Sequence, residues 1–225
     1  MNQVSRLLRD QREAERRFAA DAASDQSPKG WSAALTFFHM ARWRQRLLEA
    51  LTAHSEGRSY AAPPGDIDEF NDAELPDGAN VSLAVAAEQS DATFGSLIEM
   101  WENLGNQPFK WFTAENTSEA LVRNSYLHPR IHIASYLMER GDQERGDQMV
   151  EETAATLRAA NAPAHVLGAA LYNLAGVRVS QGRHDEALDL LEEAAPMRPD
   201  LKAFALKDEA FDALRDSPRF RSLAK

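Results

Sequence analysis

Hydrophobic residues recur at spacings of three and four along almost the whole chain, and no segment alternates convincingly with period two. That periodicity restricts the fold to all-α architectures, in which each helix buries one apolar stripe against its neighbours. With 44% hydrophobic residues among 225, there is enough apolar surface for a sizeable core.

The breaks in the pattern set the order of elements. A charged amphipathic helix covers 3–22. Asp25, Ser27 and Pro28 stop it, and a second helix covers 31–54, with Leu35, Phe38, Ala41 and Leu48 at helical spacing. Gly57, Pro63, Pro64 and Gly65 make 55–65 a loop. A short helix starts within 66–71 and is ended by Pro76 and Gly78. A third long helix fits 80–104, with Val81, Val85, Phe94, Leu97, Ile98 and Trp101 as its apolar positions and Gly105 as its C-cap. An aromatic connector covers 107–112. Thr117, Ser118 and Glu119 open a fourth long helix that continues to 141. This order predicts a four-helix bundle over 1–141.

From 142 the texture changes to shorter, Ala- and Leu-rich helices, predicted over 143–160, 164–181, 184–195 and 203–215. In 171–199, Leu171, Leu174, Ala175, Gly182, Ala187, Leu191, Ala194 and Pro199 resemble a tetratricopeptide repeat, with Arg178 at the usual tyrosine position. Residues 141–155 repeat this logic at an offset of 41, and 211–220 resemble the pieces that close such arrays. A helix pair cannot bury its apolar face alone. The extension over 142–225 is therefore expected to stack on the fourth bundle helix.

Composition removes several function classes. The net charge is −10, and the clusters Arg12, Arg16, Arg17 and Arg42, Arg44, Arg46 are interspersed with Glu13, Glu15 and Glu49. They read as solvated helix faces, and neither nucleic acid nor membrane is expected as a partner. The absence of cysteine excludes disulfides, thiolate metal sites and cysteine nucleophiles. Charges interrupt residues 1–10, and no run approaches the ~18 apolar residues of a membrane span. The expectation is a soluble, cytoplasmic protein.

Chemistry concentrates on histidines. His128 and His132 stand at i and i+4, which places their Cβ atoms roughly 5–6 Å apart on one helix face. His39, from the second helix, would supply a third imidazole and leave a metal ion with an open position. The fourth helix carries a core stripe of Leu127, Ile131, Ala134 and Met138. Beside it runs a polar stripe of Ser125, His128, His132, Ser135 and Glu139 that either lines a wet pocket or faces solvent. Pro129 excludes the zincin mechanism, because it stands where that motif places glutamate. Inside a helix it removes a hydrogen bond and kinks the chain, which either aims the His128 ring or spoils the site. Trp43 and Tyr126 border a substrate pocket or belong to the core, and Asn71 bonds a substrate or caps a helix. His54, His165 and His184 read as ordinary polar residues.

Gly30-Trp31-Ser32 with His39 and Trp43, then Asp68-Glu69-Phe70-Asn71, then Asn124-Ser125-Tyr126-Leu127-His128 with His132, together resemble the DinB superfamily over about residues 1–141. That family includes the mycothiol-dependent maleylpyruvate isomerase and related thiol transferases. The resemblance implies a four-helix bundle, often a homodimer, holding zinc or nickel on His39, His128 and His132. Pro129 and the appended repeat depart from the family pattern. The implied activity is that of a metal-dependent hydrolase or thiol S-transferase. The metal would activate water or a low-molecular-weight thiol against a small electrophilic substrate. The alternatives are a non-catalytic scaffold that recruits a protein partner through its tetratricopeptide-like repeat, or a regulatory domain without metal.

Overall fold

The computed structural model describes residues 3–22, 30–63 and 67–223. The expected break at Asp25, Ser27 and Pro28, the loop positions Pro64 and Gly65, and Asp66 at the expected start of the short helix lie outside the described residues. Helices make up most of the described chain, which forms two compact units, Met1–Asp142 and Gln143–Lys225. Among the described residues, no helix is long and apolar enough to cross a membrane.

In the first unit, α1 (Gln3–Ala22), α2 (Ala33–Ser55) and α4 (Leu83–Leu104) pack with a broken fourth rod made of α5 (Thr117–Val122) and α6 (His128–Glu139). The short α3 (Ile67–Gly78) lies against α2. Serines start the two long central helices. Ser32 Oγ accepts from the Leu35 N–H at 3.1 Å, and Ser82 Oγ from the Val85 N–H at 3.3 Å. Gly105, at φ 64°, closes α4 as its spacing predicted, donating its N–H to the Trp101 carbonyl.

The core joins Leu8 of α1, Leu47 and Leu51 of α2, Phe94, Leu97 and Trp101 of α4 and Leu121 of α5. Val85 departs from its expected role. It is exposed, and the neighbouring Ala86 takes the buried position. The buried face of α1 keeps a three-four rhythm through Leu8, Gln11, Glu15, Phe18 and Ala22, although Gln11 and Glu15 are polar. Glu15 is there because Arg44 of α2 faces it. Arg44 is fully buried and Arg46 nearly so, which overturns their reading as a solvated face. Their partners lie on other helices, and helical spacing within α2 carries no record of them.

Four further expectations are corrected. Residues 108–116 contain an antiparallel hairpin, β1 (Pro108–Trp111) and β2 (Ala114–Asn116), where only a connector was expected. Pro76 lies inside α3 instead of ending it. The fourth long helix is interrupted by a π turn at Arg123–Leu127, in which the His128 N–H donates to the Arg123 carbonyl five residues back. The wider turn directly precedes Pro129 and relieves the clash that its ring would make with the Ser125 carbonyl in an α turn. The extra residue also shifts the buried stripe: Ile133, Tyr136 and Leu137 are core, while Ile131 and Met138 are only partly covered.

The second unit begins with α7 (Gln143–Ala159), α8 (Ala164–Ser180) and α9 (His184–Ala194), followed by α10 (Leu201–Ala205), a 3-10 turn at Glu209–Leu214 and α11 (Pro218–Leu223). The single helix expected over 203–215 is thus two short pieces, separated where Asp208 caps the 3-10 turn by accepting from the Ala210 N–H. Tyr172, Ala175, Ala187, Leu188, Leu191 and Phe211 share one buried cluster. Gly182, at φ 74°, makes the turn between α8 and α9, where a residue with a Cβ would be strained. The Arg178 side chain is largely buried and ion-paired with Glu151 and Glu186.

A candidate metal centre

Two helices deliver three imidazoles to one point in the first unit. His39 comes from the second turn of α2 and is buried. His128 and His132 come from the first turns of α6, directly after the π turn. His39 Nε2 lies 3.1 Å from His128 Nε2, and His132 Nε2 lies 2.9 Å from the same atom. One ligand nitrogen from each of the three falls within 4.8 Å of the others.

The electrostatics keep these rings neutral. Burial, followed by the charges of His132 and Arg46, pushes the His39 pKa down to about 3. Burial lowers His132 to about 4. His128 is held well below the ordinary histidine range by burial and then by its two histidine neighbours. Neutral imidazoles offer lone pairs, which is the state a metal requires.

A hydrogen-bond account of the cluster is incomplete. A neutral imidazole nitrogen carries one proton or one lone pair. His128 Nε2 therefore cannot make linear hydrogen bonds to both neighbours. Three lone pairs directed at a shared cation fit the donor set better. Tetrahedral bonds of about 2.0–2.1 Å would put the nitrogens about 3.3 Å apart, close to the separations found. The three histidines could thus hold a metal ion.

The surroundings orient the rings. Trp31 stacks flat on His132, with centroids 5.3 Å apart and planes 7° apart, and meets His39 edge-on at 5.1 Å. Its carbonyl accepts from Arg140 Nη2 at 2.9 Å, and the Arg140 guanidinium lies 3.6 Å over the Tyr136 ring. In the sequence, Trp31 marks only the opening of the second helix within a motif. Its contact with His132 joins positions 101 residues apart and leaves no local trace.

The histidines line a cavity of about 300 Å3. Trp43 forms part of its wall, and its indole N–H donates to Asn71 Oδ1 at 2.9 Å. Asn71 lies well inside α3 and does not cap it. Asn124 Nδ2 donates to the Trp43 carbonyl at 3.1 Å and so ties the π turn to α2. Tyr126 is placed differently from these two. It is buried, with the Arg130 guanidinium 5.4 Å over its ring, and the cavity is lined by other residues.

Asp68, Trp111, Phe112 and Arg123 also line the cavity. None of the four had been singled out individually as a pocket residue. Alternation of Phe109 and Trp111 across β1 was a readable signal for the strand that presents Trp111. Phe112 occupies the hairpin turn at φ 51°, a left-handed conformation uncommon for such a residue, and its ring meets Trp43 at 5.8 Å. His54, His165 and His184 stand outside both the cluster and the cavity lining. Comparisons with protein-family models, with curated proteins and with solved structures find no match to this chain.

Proposed function

We propose that the first unit is a DinB-like metal-dependent enzyme, a hydrolase or thiol S-transferase, that holds one zinc or nickel ion on His39, His128 and His132. The observation that carries the reading is the convergence of three neutral, desolvated Nε2 atoms on one point in the lining of a cavity. A donor set of imidazoles without carboxylates suits zinc or nickel better than magnesium or calcium, which prefer oxygen. Bound there, the metal would supply Lewis acidity, making a coordinated water or low-molecular-weight thiol a nucleophile near neutral pH.

The chain's own residues supply the rest. His39 and His132 are held by Trp31, and the π turn sets the direction of His128. Trp43, Trp111 and Phe112 give the cavity an apolar wall that displaces water from a small electrophilic substrate. Asp68 and Arg123 place charged side chains on the same lining.

Metal analysis by mass spectrometry on untagged protein tests the reading. Stoichiometric zinc or nickel is expected in the wild type and is lost in His39→Ala and His132→Ala. A wild type that is isolated metal-free and resists loading with both ions would end it.

A further inference from the structure

Asn71 lines the cavity, and its amide is held in one defined orientation. The indole N–H of Trp43 is a donor only. The atom it meets at 2.9 Å is therefore Oδ1, and the amide cannot be reversed without losing that bond. Nδ2, with its two N–H groups, is the end left over, and among the described residues it makes no hydrogen bond. Asn71 shares the cavity lining with the histidines and with three flat aromatic walls, Trp43, Trp111 and Phe112. The Phe112 ring stands edge-on to both tryptophans, 5.8 Å from Trp43 and 5.1 Å from Trp111.

We infer that the cavity binds a small planar molecule through a carbonyl or carboxylate oxygen that accepts from Asn71 Nδ2, its flat body lying along the aromatic walls. The inference rests on the cavity being the reaction chamber of the metal centre, and it names the chemistry of the ligand. A fixed pair of N–H donors selects for an acceptor oxygen and against a ligand that can only donate. Trp43 is the positioning residue, because its indole holds the amide in place.

Benzoate and benzamide are the probes and benzylamine the control. All three carry one ring, but only the first two bring an acceptor oxygen. Each is titrated against metal-free and zinc-loaded protein and followed by tryptophan fluorescence. Fragments of this size bind in about the millimolar range. The oxygen ligands are expected to bind and benzylamine to bind far more weakly.

Asn71→Asp keeps an oxygen for Trp43 and exchanges the N–H pair for a second oxygen. It should lose about tenfold or more in benzoate affinity while melting temperature and zinc content stay at wild-type values. Asn71→Ala should lose benzoate affinity as well. Equal binding of benzylamine and benzoate, undiminished benzoate binding by Asn71→Asp, or no binding of either oxygen ligand overturns the inference. A protein that takes no zinc yet binds benzoate through Asn71 would remove the metal and leave the inference standing. A zinc-loaded protein indifferent to both oxygen ligands would do the reverse.

Discussion

The Arg44 guanidinium closes a two-pronged ion pair on Glu15, Nη1 to Oε2 at 2.8 Å and Nη2 to Oε1 at 2.7 Å, in the interior between α1 and α2. Ser90 Oγ accepts a further bond from Nη1 at 2.7 Å, and the guanidinium lies 3.9 Å over the Phe94 ring. Removing one partner leaves a buried charge without its counterion, which costs about 3–5 kcal/mol. Glu15→Gln is expected to lower the unfolding free energy by that amount, and the urea midpoint with it. Glu15→Gln combined with Arg44→Met should recover much of the loss, because neither charge then remains. Chemical melts of the two variants decide the matter, and a Glu15→Gln melt equal to wild type contradicts it.

Acid should loosen the metal-free protein before its carboxylates titrate. Unfolded, the three site histidines protonate near pH 6.5. Folded, His39 does so only at about 3 and His132 at about 4. Between those limits the unfolded chain binds more protons, so stability falls as pH drops below about 6.5. Hydrogen bonding to Arg12 holds Asp91 below the usual carboxylate range, so its contribution is lost only at lower pH. Urea midpoints between pH 7.5 and 5 should decline in wild type and decline less in His39→Leu. A flat wild-type profile would contradict the buried, neutral state of the rings.

Trp31 should matter to metal affinity without being a ligand. Its ring lies flat on His132, and groups that orient ligands are typically worth about 10–100-fold in affinity. Trp31→Ala is expected to weaken zinc binding by about tenfold. Trp31→Phe, which retains a flat face, should weaken it less. Competition with a chelator of known affinity measures the difference, and wild-type affinity in Trp31→Ala would refute the role.

Two glycines within α8 should respond oppositely to alanine. At Gly168 an added Cβ would sit 2.8 Å from Met197 Cβ, so Gly168→Ala is expected to cost about 1–3 kcal/mol by overpacking. At Gly176 the nearest atom is Ala210 Cβ at 3.6 Å, an ordinary contact. Gly176→Ala should therefore gain about 1 kcal/mol from helix propensity. Thermal melts of both variants test the sign, and a stabilised Gly168→Ala would show that the close approach is looser than described.

Local repeats were readable from the residues alone. The amphipathic rhythm of α1 and Gly105 at the end of α4 each depend on neighbours within a turn or two, and each was visible in order along the chain. The spacing of His128 and His132 was equally local. Other features depend on partners far away in sequence. Arg44 looked solvated because Glu15 is 29 residues distant, and Trp31 meets His132 across 101 residues. The π turn arises where Pro129 must avoid the preceding carbonyl while Asn124 reaches Trp43, a compromise that no helical period encodes. Short-range chemistry set which segments coil and where they stop. Long-range packing chose which polar side chains were drawn inside, because burying a charge or an imidazole is tolerable only where the fold brings its partner within hydrogen-bonding reach.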